Sequence, residues 1–326
     1  MKENFSGGIK MFDPQTLIAA CNILFPIFIT VFGVVIGSFL NVVIYRTQHG
    51  ESIAKGRSHC TSCGEQIKNR DLIPIFSWIF LGGKCRNCKA KISPRYMIVE
   101  ALTGAMYLAA YLKFGNTIEL IYAVVLFPML IVLSFVDIDS MEIPYWTTIT
   151  IAVLGIASIF TDMCNLSKTP AGWYEHLLGA VVIGIPFALL AFFGAMGGGD
   201  MQLMAAAGLL LGWKIVPAAA IGIFLGAIGG IIVLVKNRKK DPDKSVIIPE
   251  GTENSIHTEE SADSTATDVV SDVESENDDD TEASEKKETD EDQKRNIICF
   301  GPFLAVGIAV AFMFGNEIIN WYLGFL

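Results

Sequence analysis

The sequence predicts an all-α, polytopic membrane helix bundle of about eight transmembrane helices, with a small cytoplasmic loop of zinc-ribbon type. Three observations predict it. Hydrophobic residues make up 52% of the 326 residues and charged residues only 18%, under the roughly 25% of soluble domains. The apolar residues fall in blocks near the ~20 residues that cross a bilayer. Two Cys-x-x-Cys pairs stand in a basic stretch between the first two blocks.

Residues 1–16 read as a short external N-terminus. The first block, 17–45, is too long for a signal-peptide core and no small-residue cleavage site follows it, so it reads as an uncleaved span. Its Asn22 and Pro26 mark a polar contact or a kink. Further blocks follow at 98–113, 117–136, 146–162, 174–193, 202–213, 215–235 and 297–325. The sixth is short. A break at Trp213-Lys214 gives eight spans, and without it 202–235 is one tilted or kinked helix and the count is seven. The basic residues decide between them. Residues 46–97 hold ten Lys/Arg and 236–296 hold nine, and the other five are Lys2, Lys10, Lys113, Lys168 and Lys214. With eight spans both basic loops fall on one side, which the positive-inside rule makes the cytoplasm, and both termini lie outside. That places Asp137 and Asp200 at the cytoplasmic face of a transmembrane core spanning 98–235.

Within the seventh block, Gly222, Gly226 and Gly230 recur every four residues, a spacing for close helix packing. The net charge of −10 is concentrated in 236–296, where 20 Asp/Glu face nine Lys/Arg. Its central part, 241–292, is rich in Ser and Thr with almost no aromatic residues, so it is expected to be a disordered, solvated loop. The alternative is a docking segment for a basic partner. Lys236, Arg238, Lys239 and Lys240 before it read as a topology anchor. No nucleic-acid partner is expected, and membrane lipid is.

Cys60-Thr61-Ser62-Cys63 and Cys85-Arg86-Asn87-Cys88 are separated by 21 residues. Two such pairs suit a tetrahedral zinc site of four cysteines, because each tight turn aims two thiolates at one ion. Disulfides are the weaker alternative in a reducing cytosol. Four thiolates leave no open position, so the ion is structural and would hold together a loop too small for its own core. Cys21, Cys164 and Cys299 are isolated and count as small apolar residues.

Acidic residues near the hydrocarbon core are functional candidates. Asp137 ends an apolar run in Phe135-Val136-Asp137-Ile138-Asp139, and Asp200 closes Gly197-Gly198-Gly199-Asp200 between two more. A lone Asp beside a helix end is commonly a cap or a solvated terminus, a role open to Asp139. Glu142 reads as solvated at the interface. The three glycines permit backbone shapes closed to other residues and would let a substrate backbone come close; the competing reading is a plain interhelical turn. A helix then opens at Asp200, whose charge favours its N-terminus. Should the two carboxylates meet, repulsion leaves one protonated at neutral pH. The charged one then takes a proton from water and the protonated one polarises a scissile carbonyl.

Taken together, these segments resemble the bacterial type IV prepilin peptidases, GxGD aspartic proteases that cut the basic leader from pilin-like precursors at the cytoplasmic face. Many members then methylate the new N-terminal amine with S-adenosylmethionine. The matching residues are Gly37-Ser38-Phe39-Leu40-Asn41 through Arg46, the two cysteine pairs, Ser93-Pro94-Arg95-Tyr96, Val99-Glu100-Ala101-Leu102-Thr103-Gly104, Asp137-Ile138-Asp139 with Ile143-Pro144, Gly197-Gly198-Gly199-Asp200, and Phe300-Gly301-Pro302-Phe303. By that resemblance Asp137 and Asp200 are the catalytic pair, Cys60, Cys63, Cys85 and Cys88 hold zinc, prepilin-like proteins are the substrates, and the location is the bacterial inner membrane. Asp137 is preferred to Asp139 because it starts the family's Asp-to-Ile-Pro stretch. Tyr145, Gln202 and Met97 depart from the pattern, as does the 241–292 insertion. Methyl transfer rests on the resemblance alone. Asn41, Arg46 and Glu100 are its polar candidates, with Glu100 pairing to a basic residue of loop 46–97 as the structural alternative. Competing functions are a peptidase without methyl transfer, a zinc-ribbon assembly protein, and a transporter using the aspartates as a proton relay.

Overall fold

Residues 14–53, 56–167, 171–194, 196–240 and 299–324 are described in a computed structural model. Eight long helices account for most of them: α1 (Pro14–His49), α2 (Arg95–Phe114), α3 (Ile118–Ser140), α4 (Tyr145–Met163), α5 (Trp173–Phe192), α6 (Gly198–Leu211), α7 (Ile215–Lys240) and α8 (Gly301–Leu323). Among the described residues there is no strand, only two isolated bridges in the cysteine loop, His59–Gln66 and Lys84–Lys91. The segment 241–292, with its expected disorder, and the external N-terminus 1–13 lie outside the described residues.

Seven segments are long and apolar enough to cross a membrane, so the chain is a multi-pass membrane protein. Length and composition treat 198–233 as one of these, one fewer than the eight spans expected. The structure nevertheless divides that segment at the expected place. Gly212 takes φ +57, in the left-handed region that favours glycine, and a 3-10 turn covers Gly212–Lys214. The chain reverses there. Asp200 starts α6 at the end of the bundle that holds Asp137, while Gly226 of α7 lies against Phe300, beside Gly301 at that same end. At 1.5 Å per residue α6 is only about 21 Å long, short of the ~30 Å hydrocarbon layer. It can be short because it is interior: Leu203, Met204, Ala207, Gly208, Leu210 and Leu211 are all buried.

The bundle is built around α3, which buries twelve residues, Asp137 the last of them. Leu126, Phe127, Leu130 and Leu133 of α3 pack with Leu203 and Met204 of α6, Ile151 of α4, Phe187 of α5 and Leu304 and Ile308 of α8. A second cluster joins α1 and α2 to α3 through Leu40, Val43, Ile44, Val99, Ile131, Val132 and Val136. Lipid tails are as apolar as these side chains, so close packing rather than water exclusion holds such helices together. The glycines of α7 serve that end as expected: a Cβ on Gly222 would stand 2.9 Å from Leu304, and one on Gly226 would run into the Phe300 ring. Broad apolar faces stay exposed, among them Ile27, Phe28, Val31 and Val35 of α1.

Helix boundaries moved where polar residues continue a helix. The first block was expected to end at residue 45, but α1 runs on to His49 and so carries Arg46 and Gln48. Likewise α6 begins at Gly198 rather than Asp200, placing Asp200 inside its first turn.

Candidate active site and metal centre

Asp137 lies in the last turn of α3 and is 5% exposed. Its Oδ2 accepts a 3.0 Å hydrogen bond from the backbone N–H of Gly301, the first residue of α8. That approach requires glycine, since a Cβ at 301 would stand 2.7 Å from the same oxygen. Helix N-termini present unpaired N–H groups and partial positive charge, so a carboxylate is favoured there. Asp200 comes to the same place from the first turn of α6. It is 9% exposed, its Oδ1 is buried without a hydrogen-bond partner, and it is close enough to Asp137 for the two charges to interact. Cys299 completes the neighbourhood, with Asp137, Asp139 and Asp200 all acting on its thiol.

Asp139, two residues on, does something else. Arg95 Nη1 and Gln48 Nε2 each donate to its Oδ2 at 2.5 Å, and Arg95 also donates to the Phe135 carbonyl at 3.1 Å while lying over the Phe135 ring. Asp139 therefore ties the end of α3 to α1 and α2. The same contacts put the cysteine loop at the end of the bundle where Asp137 and Asp200 meet. Glu142 is exposed, as expected.

The glycine run differs from expectation. None of Gly197, Gly198 and Gly199 has positive φ, so no special backbone shape is required of them. Gly197 is the extended N-cap of α6. Gly199 packs on Ile143, where a Cβ would stand 3.0 Å away, and only Gly198 faces open space.

In the cysteine loop the four Sγ atoms of Cys60, Cys63, Cys85 and Cys88 all lie within 4.8 Å of one another, with Cys60 and Cys88 3.9 Å apart. Tetrahedral zinc with Zn–S of ~2.3 Å calls for sulfurs a little under 4 Å apart, so the cluster fits a metal ion. The two knuckles are built alike. Cys60 N–H bonds the Glu65 carbonyl and Gly64 N–H the Cys60 carbonyl; Cys85 N–H bonds Ala90 and Lys89 N–H bonds Cys85. Gly64 and Lys89 both take positive φ, at +70 and +60. The backbone N–H of Ser62, then that of Cys63, hold the Cys60 thiol down, to about 6, which favours the thiolate a metal needs. Arg86 grips Asp71 with two nitrogens and holds its carboxyl below the usual range.

Glu100 was weighed as the partner of a basic residue in this loop; among the described residues it pairs with none. Its Oε2 accepts the backbone N–H of Ile75 at 2.6 Å, and Ser38 also bonds it. Ile75 has φ +61 and ψ −57 and is spanned by a Phe76 N–H to Pro74 carbonyl bond. That tight turn is strained for a β-branched residue, and the Glu100 carboxylate holds it. Arg46, another candidate, is spent on the carbonyls of Ser52, Ile53 and Gly56. Asn41 donates to the Tyr96 carbonyl.

At the opposite end of the bundle lies a cluster that sequence reasoning missed. His176 of α5 directs Nε2 at Asp162 of α4 and Nδ1 at the Leu209 carbonyl of α6, both at 3.0 Å, and Asp162 also accepts from Ala171 N–H. Its signal was an acidic residue and a histidine in separate apolar blocks, and nothing local in the sequence pairs them.

Residues 31–114 match the bacterial peptidase A24 N-terminal domain and residues 124–235 match the type IV leader peptidase family. The chain is similar to the prepilin leader peptidase/N-methyltransferase of Myxococcus xanthus, 36% identical over 67% of this chain and 66% of that protein. It is also similar to the proteins of the same name from Bacillus subtilis, 35% identical over 65% of this chain and 85% of that one, and Legionella pneumophila, 28% identical over 90% and 93%. The chain thus spans about two thirds of the length of the Myxococcus protein. No solved structure matches it.

Proposed function

The chain belongs to the type IV leader peptidase family, and we propose from that premise that it is a membrane aspartic endopeptidase whose catalytic pair is Asp137 and Asp200. The observation that carries the reading is their meeting: two buried carboxylates from different helices, interacting, one with a partnerless buried oxygen. Buried polar atoms are nearly always paired, so one left over points to a ligand or reacting group.

Two buried carboxylates that repel each other disfavour double ionisation, so in this mechanism the pair holds one proton and the titration belongs to both. Asp137, steadied by Gly301 N–H, takes a proton from the attacking water. Asp200 gives its proton to the scissile carbonyl as the water oxygen bonds the carbon. Collapse of the tetrahedral species breaks the C–N bond and returns a hydroxyl proton to Asp200, and the departing amine receives the proton that Asp137 took up. Gly198 leaves room for the extended substrate.

The substrates are prepilin-like membrane proteins, entering from the lipid with the basic leader on the cytoplasmic side. Two features support that orientation. The basic loop 46–97 adjoins the aspartate end, and Gly226 and Cys299, which flank the second basic stretch, both lie at that end. The membrane is the bacterial inner membrane. The cysteine cluster holds structural zinc, which supplies a cross-link and takes part in no step. The peptidase core is 98–235 together with the last helix. Methylation of the new N-terminus follows, for which S-adenosylmethionine supplies an electrophilic methyl group.

Incubation with a prepilin-like precursor, with and without S-adenosylmethionine, followed by mass measurement of the new N-terminus, tests both activities. Leader loss alone, or leader loss plus one methyl with the cofactor, is expected. Processing by the Asp137→Ala/Asp200→Ala double variant sinks the aspartate mechanism.

A further inference from the structure

A cavity of about 1020 Å3 opens at the end of the bundle away from Asp137 and Asp200, between the first turns of α3, α5 and α7 and the last turns of α4 and α8. Glu119 on its wall and Asp137 are both on α3, roughly 27 Å apart along its axis at 1.5 Å per residue. The peptidase chemistry uses none of its residues. Its size is that of a ligand site between the helices of a bundle, at the upper end of the usual range of roughly 300–1,000 Å3.

The wall changes with depth. At the helix ends stand Trp213, Trp321 and Tyr322, all exposed. Tryptophan and tyrosine gather where a bilayer meets water, which sets the mouth at headgroup level. Below them the wall is apolar, with Val216 and Ala220 of α7 and Phe312 of α8. Phe312 and Tyr322 lie on one helix, about 15 Å apart along it. That is the depth of one leaflet, half of a ~30 Å hydrocarbon layer.

The charges sit at the mouth end. Asp162 is taken up by His176 and Ala171 N–H. Glu119 and Glu175 also face the cavity. Ser167 Oγ and Gly172 N–H, which bond them, are neutral donors and leave a carboxylate's charge in place. Lys214, half-buried, forms no ion pair among the described residues, although Asp162, Glu119 and Glu175 all act on its charge. Its stem lies against Gly315 of α8, where a Cβ would stand 2.8 Å away. Charged groups at the edge of lipid are costly and conspicuous. An occupant that matches this wall carries an ammonium for the carboxylates, an anion for Lys214 and an apolar tail for the lower wall. A phosphoethanolamine lipid has all three, in that order. An anionic headgroup brings like charge to two carboxylates, a choline headgroup has no N–H to donate to them, and a soluble zwitterion leaves the apolar wall bare.

We infer that this cavity seats an aminophospholipid of the leaflet opposite the cysteine loop, with its ammonium on Glu119 and Glu175, its phosphate on Lys214 and its acyl chains along Val216, Ala220 and Phe312. Binding is non-covalent, and the inference stands apart from the peptidase reading.

The test uses the full-length protein in detergent, washed free of lipid and titrated with dioleoyl phosphatidylethanolamine, phosphatidylcholine or phosphatidylglycerol under native mass spectrometry. A single ethanolamine lipid is expected to stay bound, at least tenfold more tightly than the other two. Lys214→Gln and the Glu119→Gln/Glu175→Gln double variant should each weaken it at least tenfold while prepilin cleavage in detergent is unchanged. An ethanolamine lipid with a diazirine in its acyl chain should label peptides within 213–220 and 312–323. If a variant does not fold, the wild-type selectivity and labelling decide. Equal retention of the three lipids, preference for the glycerol lipid, or labelling spread over exposed faces such as that of α1 means annular lipid and overturns the inference. Wild-type affinity in both variants overturns it too, as does competition by soluble glycerophosphoethanolamine as strong as that of the lipid itself.

Discussion

At the end of the bundle away from the cysteine loop, Asp162 is partnered: its Oδ2 meets His176 Nε2 at 3.0 Å and accepts from Ala171 N–H, and its side chain is 9% exposed. At the other end Asp200 is buried, yet its Oδ1 meets no donor, and its neighbour Asp137 has one. The same residue type is finished in one place and unfinished in the other. The hydrogen bonds of His176 to Asp162 and to the Leu209 carbonyl tie three helices together, and removing a partner leaves a buried polar group unsatisfied. The unsatisfied pair stabilises nothing by itself, because like charges repel and a bare oxygen has lost its water. Burial alone would nominate Asp162 as readily as Asp200; the missing hydrogen bond separates them.

That contrast is sharpest under isosteric substitution. Asp200→Asn is expected to lower the cleavage rate by about 10³-fold or more, the loss that follows removal of one member of a group acting as a unit, while leaving thermal stability unchanged or higher. Asp162→Asn should do the reverse, costing about 1–3 kcal/mol of stability and sparing most cleavage in the folded fraction. Paired rate and melting measurements on both variants check this, and a stability loss in Asp200→Asn would break the comparison. Gly301→Ala is expected to cost about 10–100-fold in rate, because the added Cβ displaces Asp137 from its one donor, a misplacement of the kind that costs ~10²-fold. Asp139→Asn keeps an acceptor for Arg95 and Gln48, so cleavage should fall only several-fold; abolition would move the catalytic role from Asp137 to Asp139. The smallest effect lies in the loop. Within the cluster the Cys60 thiol is held down to about 6 and the Cys88 thiol is pushed up to about 11; binding needs all four as thiolates, so metal is released as pH falls. A chromogenic chelator should show metal release rising as the pH is lowered, with little release at pH 8.

The helices were legible because lipid imposes long apolar blocks, and polar continuations such as Arg46 to His49 blurred only their ends. Length could not reveal the reversal at Gly212, since an interior helix like α6 need not span the bilayer alone. The cysteine spacing carried its geometry openly. Asp137 was preferred to Asp139 by its place at the start of the Asp-to-Ile-Pro stretch; the hold of Arg95 and Gln48 on Asp139 from other helices left no local mark. Glu100 was noticed for its charge, but a backbone N–H is its partner, and backbone groups leave no mark in a sequence. The same holds for Gly301 N–H. The Asp162–His176 pair was invisible because its members belong to different helices with no shared motif.

Gly301 follows Asp137 by 164 residues, with the last helix opening on it. A ribosome therefore delivers both aspartates to the membrane well before it delivers the group that steadies the first. A partly synthesised chain holds both acids yet lacks the hydrogen bond to Asp137. Under the proposed mechanism, the order of synthesis would hold back hydrolysis until the final helix docks.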